Sequence, residues 1–142
     1  MTDTDAKRTG GCRCGSIRYA ALGKPKWVAH CHCTDCRKQT GAGYATWLCY
    51  ETAAVRWERD ARKQYASSPG TERGFCANCG TPVSFTSRRW VGEVHILAGT
   101  LDDPTTIAPR AHTYVCDQVP WAHIAPGEKR FLKTPAEGGP LP

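Results

Sequence analysis

The sequence lacks the features that would place it in a membrane or outside the cell. No stretch approaches the roughly 18 consecutive apolar residues that indicate a membrane-spanning helix. The first eight residues, MTDTDAKR, contain no apolar run of the kind found in a secretory signal. We therefore expect no membrane segment and a cytoplasmic location, where a reducing environment keeps cysteines as thiols.

The sequence also lacks a cluster of basic residues. The formal net charge is +6, but lysine and arginine are scattered along the chain. Cysteines that bind a metal lose their protons, so seven zinc-bound thiolates and two zinc ions would lower the net charge to about +3. Because nucleic-acid binding needs a basic patch, we do not expect a nucleic-acid partner.

Internal repeats and long amphipathic helix patterns are absent as well, and 142 residues suit one domain. Short segments with alternating or β-favouring residues are separated by glycine and proline turns. They predict strands near residues 16–20, 27–31, 44–50, 55–59, 63–67, 83–85, 93–98 and 111–115. We predict a mostly β, single-domain fold of short antiparallel strands over 10–132, with a loose leader at 1–9 and a Pro/Gly-rich, disordered or draped tail at 133–142.

What the chain does have is nine cysteines, seven of which fall into closely spaced sets. Three lie within six residues, and four form two doublets: Cys31, Cys33 and Cys36, then Cys12 with Cys14 and Cys76 with Cys79. Four thiolates make a closed structural zinc site, whereas three protein ligands leave a position for water or substrate. We predict two zinc ions per chain. The two doublets would bind a structural zinc that stabilises the fold, and the triplet would bind a catalytic one.

Spacing alone leaves alternatives open. Cys76 or Cys79 is a candidate fourth ligand for the triplet instead of a partner for the first doublet. The triplet is also a candidate for a second structural site, completed by His30, His32 or another cysteine. Disulfides are disfavoured by the expected compartment and by the odd number of cysteines.

Several other residues have less specific interpretations. Cys49, Cys116 and His95 are expected to be structural, the two cysteines as small buried hydrophobes. The tryptophans at 47, 57, 90 and 121 are expected in the core or in a pocket wall. Arg37 and Lys38, just after the triplet, are candidates for binding substrate carboxylates as well as ordinary solvated residues. His112 is a candidate for bonding a substrate oxygen or moving a proton.

Three motifs carry a family resemblance. They are GGCRCGSIRY at 10–19, CHCTDCRKQTGA at 31–42 and RGFCANCGTP at 73–82, followed by AGTLDDP at 98–104. Together with the region from His112 to Trp121, they resemble the glutathione-dependent formaldehyde-activating enzyme family, centromere protein V-like proteins included. The resemblance covers roughly residues 10 to 125.

The resemblance implies a β-tent fold with two zinc ions. Residues matching Cys12, Cys14, Cys76 and Cys79 would hold the structural ion, and those matching Cys31, Cys33 and Cys36 the catalytic one. It also implies a carbon–sulfur lyase-type reaction, in which glutathione adds to formaldehyde to give S-hydroxymethylglutathione, or the reverse. Many family members are short single domains, as this chain is, so another thiol or electrophile is an open alternative.

Two functions from different classes follow. The first is a zinc enzyme that joins a small-molecule thiol to a small electrophile or separates them. The second is a zinc-stabilised binding module for protein or nucleic acid, with both zinc sites structural. The coordination of the central metal distinguishes them, because a fourth protein ligand would favour the module.

Overall fold

The computed structural model describes residues 6–142, which form mostly strands and one α-helix. In chain order the elements are β1 (Lys7–Gly11), β2 (Ile17–Leu22), β3 (Trp27–Cys31), α1 (Thr34–Thr40), β4 (Ala45–Glu51), β5 (Val55–Asp60), β6 (Arg62–Ser68), β7 (Thr71–Cys76), β8 (Pro82–Ser87), β9 (Glu93–Leu97), β10 (Ala111–Thr113) and β11 (Lys129–Arg130). The expectation of a mostly β fold is confirmed. Within residues 6–142, no helix combines the length and the apolar character needed to cross a membrane.

The chain divides into two compact units, each made of separate stretches of sequence. The first unit contains residues up to Trp27 and Leu48–Thr106, and the second contains Val28–Trp47 and Ile107–Pro142. The chain passes from one unit to the other within β3, within β4 and again after Thr106. The single domain predicted over 10–132 therefore contains two compact units, which no feature of the sequence indicates.

In the first unit, β1, β2 and β5 form a three-stranded antiparallel sheet, and β6 to β9 pair in sequence order as antiparallel neighbours. The alternation along β2 buries Ile17 and Tyr19, and Leu48, Val83 and Ile96 of the same unit are also fully buried. Each buried aliphatic side chain of this size contributes about 1.5–3 kcal/mol, so this apolar core stabilises the unit.

The leader prediction needs correction, and the structure selects one of the two predicted forms of the tail. Residues 1–5 lie outside the described part of the chain, but Lys7–Gly11 pairs with β2 in the register Lys7↔Leu22, so residues 7–9 are not loose. The tail is draped: Pro135–Glu137 forms a short 3₁₀ turn, and the Leu141 amide donates to the Arg130 carbonyl over 2.7 Å. Residues 7–9 are thus held by strand pairing, and the tail is tied at Leu141 by a backbone hydrogen bond.

In the second unit, β10 pairs in parallel with both β3 and β11, with His112 opposite His30 and Arg130. The expectation of antiparallel strands is wrong here. Parallel pairing needs a long connection rather than a hairpin. The chain between β3 and β10 includes most of the first unit, which supplies that length.

The buried residues of the second unit are unusually polar. Its buried large apolar side chains are Trp47 and Phe131, whereas His32 and His112 are at most 1% exposed. Trp121, expected in the core or a pocket wall, is 67% exposed, so that expectation is wrong for Trp121. A core with so few large apolar groups offers limited hydrophobic stabilisation, and bound metal is one way in which small proteins compensate.

Candidate metal centre

Four sulfur atoms meet in the first unit, in a cluster that we call the four-sulfur group. Its members are Cys12, Cys14, Cys76 and Cys79, whose sulfur atoms all lie within 4.8 Å of one another. The Cys14 Sγ atom lies 3.6 Å from that of Cys12 and 3.7 Å from that of Cys76. Tetrahedral zinc with bonds of about 2.3 Å would separate two sulfurs by about 3.8 Å. The donors and their spacing therefore fit a zinc ion.

Local backbone geometry also suits thiolates in this group. The Ile17 amide donates to the Cys12 sulfur over 3.2 Å, and the amides of Asn78 and Cys79 point at the Cys76 sulfur over 3.4 and 3.5 Å. Gly80, at φ +79°, follows the second doublet and lets the chain turn there. Amide donors aimed at sulfur favour its charged form.

The thiol pKa values in the four-sulfur group follow these contacts. Hydrogen bonds from the hydroxyl and amide of Thr81 lower the pKa of Cys79 to about 5. Burial acts to raise the pKa of Cys12, yet the hydrogen bonds led by that from the Ile17 amide bring it below its ordinary value. The pKa of Cys76 is raised, because burial and its thiol neighbours outweigh the amide of Cys79. Thiolate character thus concentrates at Cys79 and Cys12.

The second unit holds Cys31, Cys33 and Cys36, which we call the three-sulfur group. Their sulfur atoms lie within 4.8 Å of one another. Among the described residues, no further His, Cys, Asp or Glu donor shares that spacing with all three. Cys36 is buried, and Cys31 and Cys33 are half-buried. The alternatives in which His30, His32, Cys76 or Cys79 completes this group are therefore not what the structure shows.

The three-sulfur group is shaped by α1. The Cys33 sulfur caps this helix by accepting from the Cys36 amide over 3.3 Å, which draws the two cysteines together. Gly41 ends the helix in the left-handed conformation, at φ +70°. Hydrogen bonds with the other two thiols, together with burial, raise the pKa of Cys31. Three thiols held so closely do not readily ionise together without a cation, which a bound metal would supply.

Three histidines lie beside this group in the second unit. The His32 Nε2 atom is 2.8 Å from Nδ1 of His112, whose Nε2 is 2.6 Å from Oε2 of Glu128. The Tyr44 ring packs against His30, His32 and His112, with centroids 4.8 to 5.8 Å apart. Burial, followed by the charges of His112 and His30, lowers the pKa of His32 to about 4. His32 is thus a neutral imidazole at physiological pH.

The remaining candidates are placed as follows. Both ring nitrogens of His112 contact protein side chains, so a direct bond from this ring to substrate is not supported. Arg37 is half-buried on α1 and Lys38 is exposed. Cys49 is fully buried as expected, but Cys116 is exposed, which corrects the expectation for Cys116. Glu128 was missed, because a lone glutamate in a turn gives no sequence signal.

Two further sets of three donors fall within the same 4.8 Å spacing. They are His30, His112 and Glu128 in the second unit, and Cys49, Glu93 and His95 in the first. In the set of the first unit, Glu93 accepts hydrogen bonds from Cys49 and His95. In the other set, Glu128 accepts one from His112. The second unit also has a cavity of about 650 Å³. Glu128, Lys129 and Arg130 line it, but the three cysteines do not.

The comparisons with known proteins agree with the cysteine pattern. Residues 7–117 match the family model described as glutathione-dependent formaldehyde-activating enzyme. The chain belongs to this family. A relative from Halomonas elongata, provisionally named as such an enzyme, is 30% identical over 130 residues, covering 84% of this chain and 82% of its own length.

Two other comparisons give a shorter sequence match and a likeness of fold. A Schizosaccharomyces pombe protein described as an uncharacterized lyase is 34% identical over 76 residues, which are 54% of this chain and 55% of the relative. The crystal structure of a Rhodobacter sphaeroides protein superposes with a TM-score of 0.56 at 17% identity, covering 87% of this chain and 98% of that one. At such low identity this likeness shows the fold alone. The segment matched by the family model contains all seven cysteines of the two sulfur groups.

Proposed function

We propose that this protein is a zinc-dependent enzyme of carbon–sulfur lyase type, which joins a thiol to a small electrophile or releases it. The observation that carries the proposal is the three-sulfur group, where the described residues offer three donors and not four. Zinc with three protein ligands keeps an exchangeable position. Membership of the formaldehyde-activating family and the lyase description of the fission-yeast relative support the same class of reaction.

Zinc bound by Cys31, Cys33 and Cys36 would supply a position where an incoming thiol loses its proton more easily. α1 fixes the sulfurs of Cys33 and Cys36, Cys31 is held at the end of β3, and the burial of Cys36 limits the access of water to its sulfur. Three thiolates leave the divalent ion with an overall negative charge, so it should acidify water less than a site with three imidazoles would. The donor set therefore favours thiol chemistry over hydrolysis.

The bond changes balance without an oxidant or reductant. In the direction of addition, the thiol sulfur forms a bond to the carbonyl carbon, the carbon–oxygen double bond becomes single, and the thiol proton ends on that oxygen. The reverse reaction breaks the carbon–sulfur bond and returns the aldehyde. Glutathione and formaldehyde, the pair in the family's name, are the substrates to test first.

The other parts of the proposal concern binding. The four-sulfur group would hold a structural zinc within the first unit. Arg37, whose Nε is buried without a hydrogen-bond partner among the described residues, and the exposed Lys38 would bind carboxylates of the thiol substrate. A reducing cytoplasm would keep the nine cysteines available as thiols.

The test is calorimetric titration of the zinc-loaded protein with glutathione, in buffers of different ionisation enthalpy. Wild type should bind the thiol and release a proton. Cys33→Ser should lose both signals, whereas Cys116→Ser, which removes an exposed cysteine outside both sulfur groups, should keep them. If wild type binds no thiol at millimolar concentration, the thiol-addition mechanism is wrong and the binding-module alternative gains support.

A further inference from the structure

A buried nitrogen in the second unit lacks a partner. His32 is fully buried, and its Nδ1 has no hydrogen-bond partner among the described residues. Its other ring nitrogen, Nε2, faces Nδ1 of His112 across 2.8 Å. Because buried polar atoms are nearly always hydrogen-bonded, the bare Nδ1 needs an explanation.

The explanation begins at Glu128. The hydrogen bond from His112 leads the contacts that hold the pKa of Glu128 below its ordinary value, so the carboxylate is ionised and can only accept. The proton in the 2.6 Å contact therefore belongs to Nε2 of His112. With that proton on Nε2, Nδ1 of His112 is left to accept a hydrogen bond from the Nε2–H group of His32.

The direction of these two hydrogen bonds determines whether the unpartnered Nδ1 of His32 carries a proton. With its single proton on Nε2, a neutral His32 has only a lone pair on Nδ1. If instead Nδ1 of His112 donated to Nε2 of His32, His112 would carry protons on both ring nitrogens. The proton of His32 would then lie on Nδ1, as a buried N–H group without an acceptor. Orphaned buried N–H groups are rarer than under-satisfied acceptors. The hydrogen bonds thus select one tautomer for each histidine.

We propose that His112 and Glu128 are positioning residues, which lock the His32 ring and thereby set the metal affinity of the three-sulfur group. His32 lies between Cys31 and Cys33 in the chain, so its side chain anchors the backbone that carries both sulfurs. The His32 amide adds a second tie, donating to the Thr113 carbonyl over 3.0 Å.

Rings packed on both histidines restrict their rotation. His30 stacks on His112 with centroids 4.5 Å apart, and Tyr44 contacts His32 at 4.9 Å. In metal sites, outer contacts that orient ligands change metal affinity by about 10- to 100-fold. Here His112 and Glu128 would orient His32, which lies in the chain between the ligands Cys31 and Cys33 and is not itself a ligand.

The inference rests on the proposed function only in that the three-sulfur group binds zinc. Competition with a chelator on the zinc-loaded protein measures the affinity of each site. We expect Glu128→Ala to weaken zinc binding at the three-sulfur group by about 10- to 100-fold, with binding at the four-sulfur group unchanged. Glu128→Gln should restore most of this loss, since a carboxamide oxygen accepts the same hydrogen bond. Glu137→Ala is the matched control and should leave this affinity unchanged, because Glu137 accepts hydrogen bonds from the amide and hydroxyl of Thr134 in the tail.

Nitrogen NMR of the imidazoles gives a readout that a general loss of stability would not produce. In zinc-loaded wild type, His32 should be protonated on Nε2 and bare on Nδ1, and Glu128→Ala should disturb that state. A proton on Nδ1 of His32 would overturn the inference. So would a Glu128→Ala affinity within two-fold of wild type, or a Glu128→Gln variant as weak as Glu128→Ala. Wild type that takes up only one zinc would instead contradict the proposed function.

Discussion

The sulfur atoms of Cys14 and Cys76 lie 3.7 Å apart although 62 positions separate them in the sequence. This contact joins the entrance of β2 to the end of β7, both within the first unit. Cys14 is exposed, so apolar packing does not account for its place beside the buried Cys76. A metal held at this point would close a long loop in the native chain, and its binding free energy would be coupled to folding.

The first prediction concerns that coupling. Cys79→Ser should lower the melting temperature of the zinc-loaded protein by about 10 °C or more, because loss of a metal site costs several kcal/mol. Cys116→Ser should melt like wild type. The measurement is circular dichroism during heating, with and without a zinc chelator. Equal melting of Cys79→Ser and wild type would show that the four-sulfur group is not a structural metal site.

The second prediction is a zinc count. Wild type expressed with ample zinc should contain two ions per chain, because thiolate-rich groups favour zinc over hard cations. Cys33→Ser should retain one ion and a folded chain, since the four-sulfur group remains complete. Elemental analysis alongside protein quantification provides the count, with Cys116→Ser as the control. One ion or none in wild type would contradict the assignment.

The third prediction concerns acid stability in the first unit. Burial acts to raise the pKa of Glu93, but hydrogen bonds led by that from Lys26, whose Nζ is 2.7 Å from Oε1, lower it to about 2 from an ordinary 4.5. A lowered folded-state pKa gives stability that is present above the unfolded pKa and lost as the pH falls through the folded value.

Wild type should therefore lose stability between about pH 4.5 and pH 2, by about 1–3 kcal/mol once solvent screening at the half-exposed Lys26 is allowed for. Glu93→Gln should be less stable than wild type at pH 7, and this difference should shrink over the same range. Urea unfolding at a series of pH values measures both effects. A stability difference that does not vary with pH would rule out the ionised Glu93 as its source.

How much of this could be read from the sequence depends on how local each signal is. Strands β2 to β5 follow from alternating and β-favouring residues. Cysteine spacing indicates a triplet and two doublets, but it leaves open which of them share a metal. β7 was missed because TERGFC buries Arg73 and contains Gly74, so it shows no apolar alternation. α1 has seven residues, too few for a helical period to appear.

The features of the fold and of the site that the sequence does not predict depend on contacts between residues far apart in the chain. Nothing near His112 indicates parallel pairing with His30, which depends on the course of the whole chain. Glu128 is 16 positions from His112, and only the fold brings its carboxylate to that ring. Likewise, the exposure of Trp121 depends on where its turn lies and not on its own preference for burial.

The fourth prediction tests a close approach in the first unit. A Cβ atom on Gly10 would overlap the Thr100 carbonyl oxygen and the Tyr19 hydroxyl, whereas one on Gly99 would meet nothing within 4 Å. Gly10→Ala should therefore cost about 1–3 kcal/mol of unfolding free energy, as overpacking typically does. Gly99→Ala is the matched control. Chemical denaturation of both variants gives the comparison, and equal stabilities would mean that β1 does not approach Thr100 so closely.

The division of the second unit into two stretches has a consequence for protein synthesis. The ribosome synthesises Cys31, Cys33 and Cys36 early. It then adds all of Leu48–Thr106 before it reaches His112 and Glu128. The nascent chain thus presents three neighbouring thiols long before the residues proposed to lock His32 have been translated. Zinc captured by the growing chain would at first be held by sulfur alone, and its hold would tighten only when the last part of the polypeptide arrives.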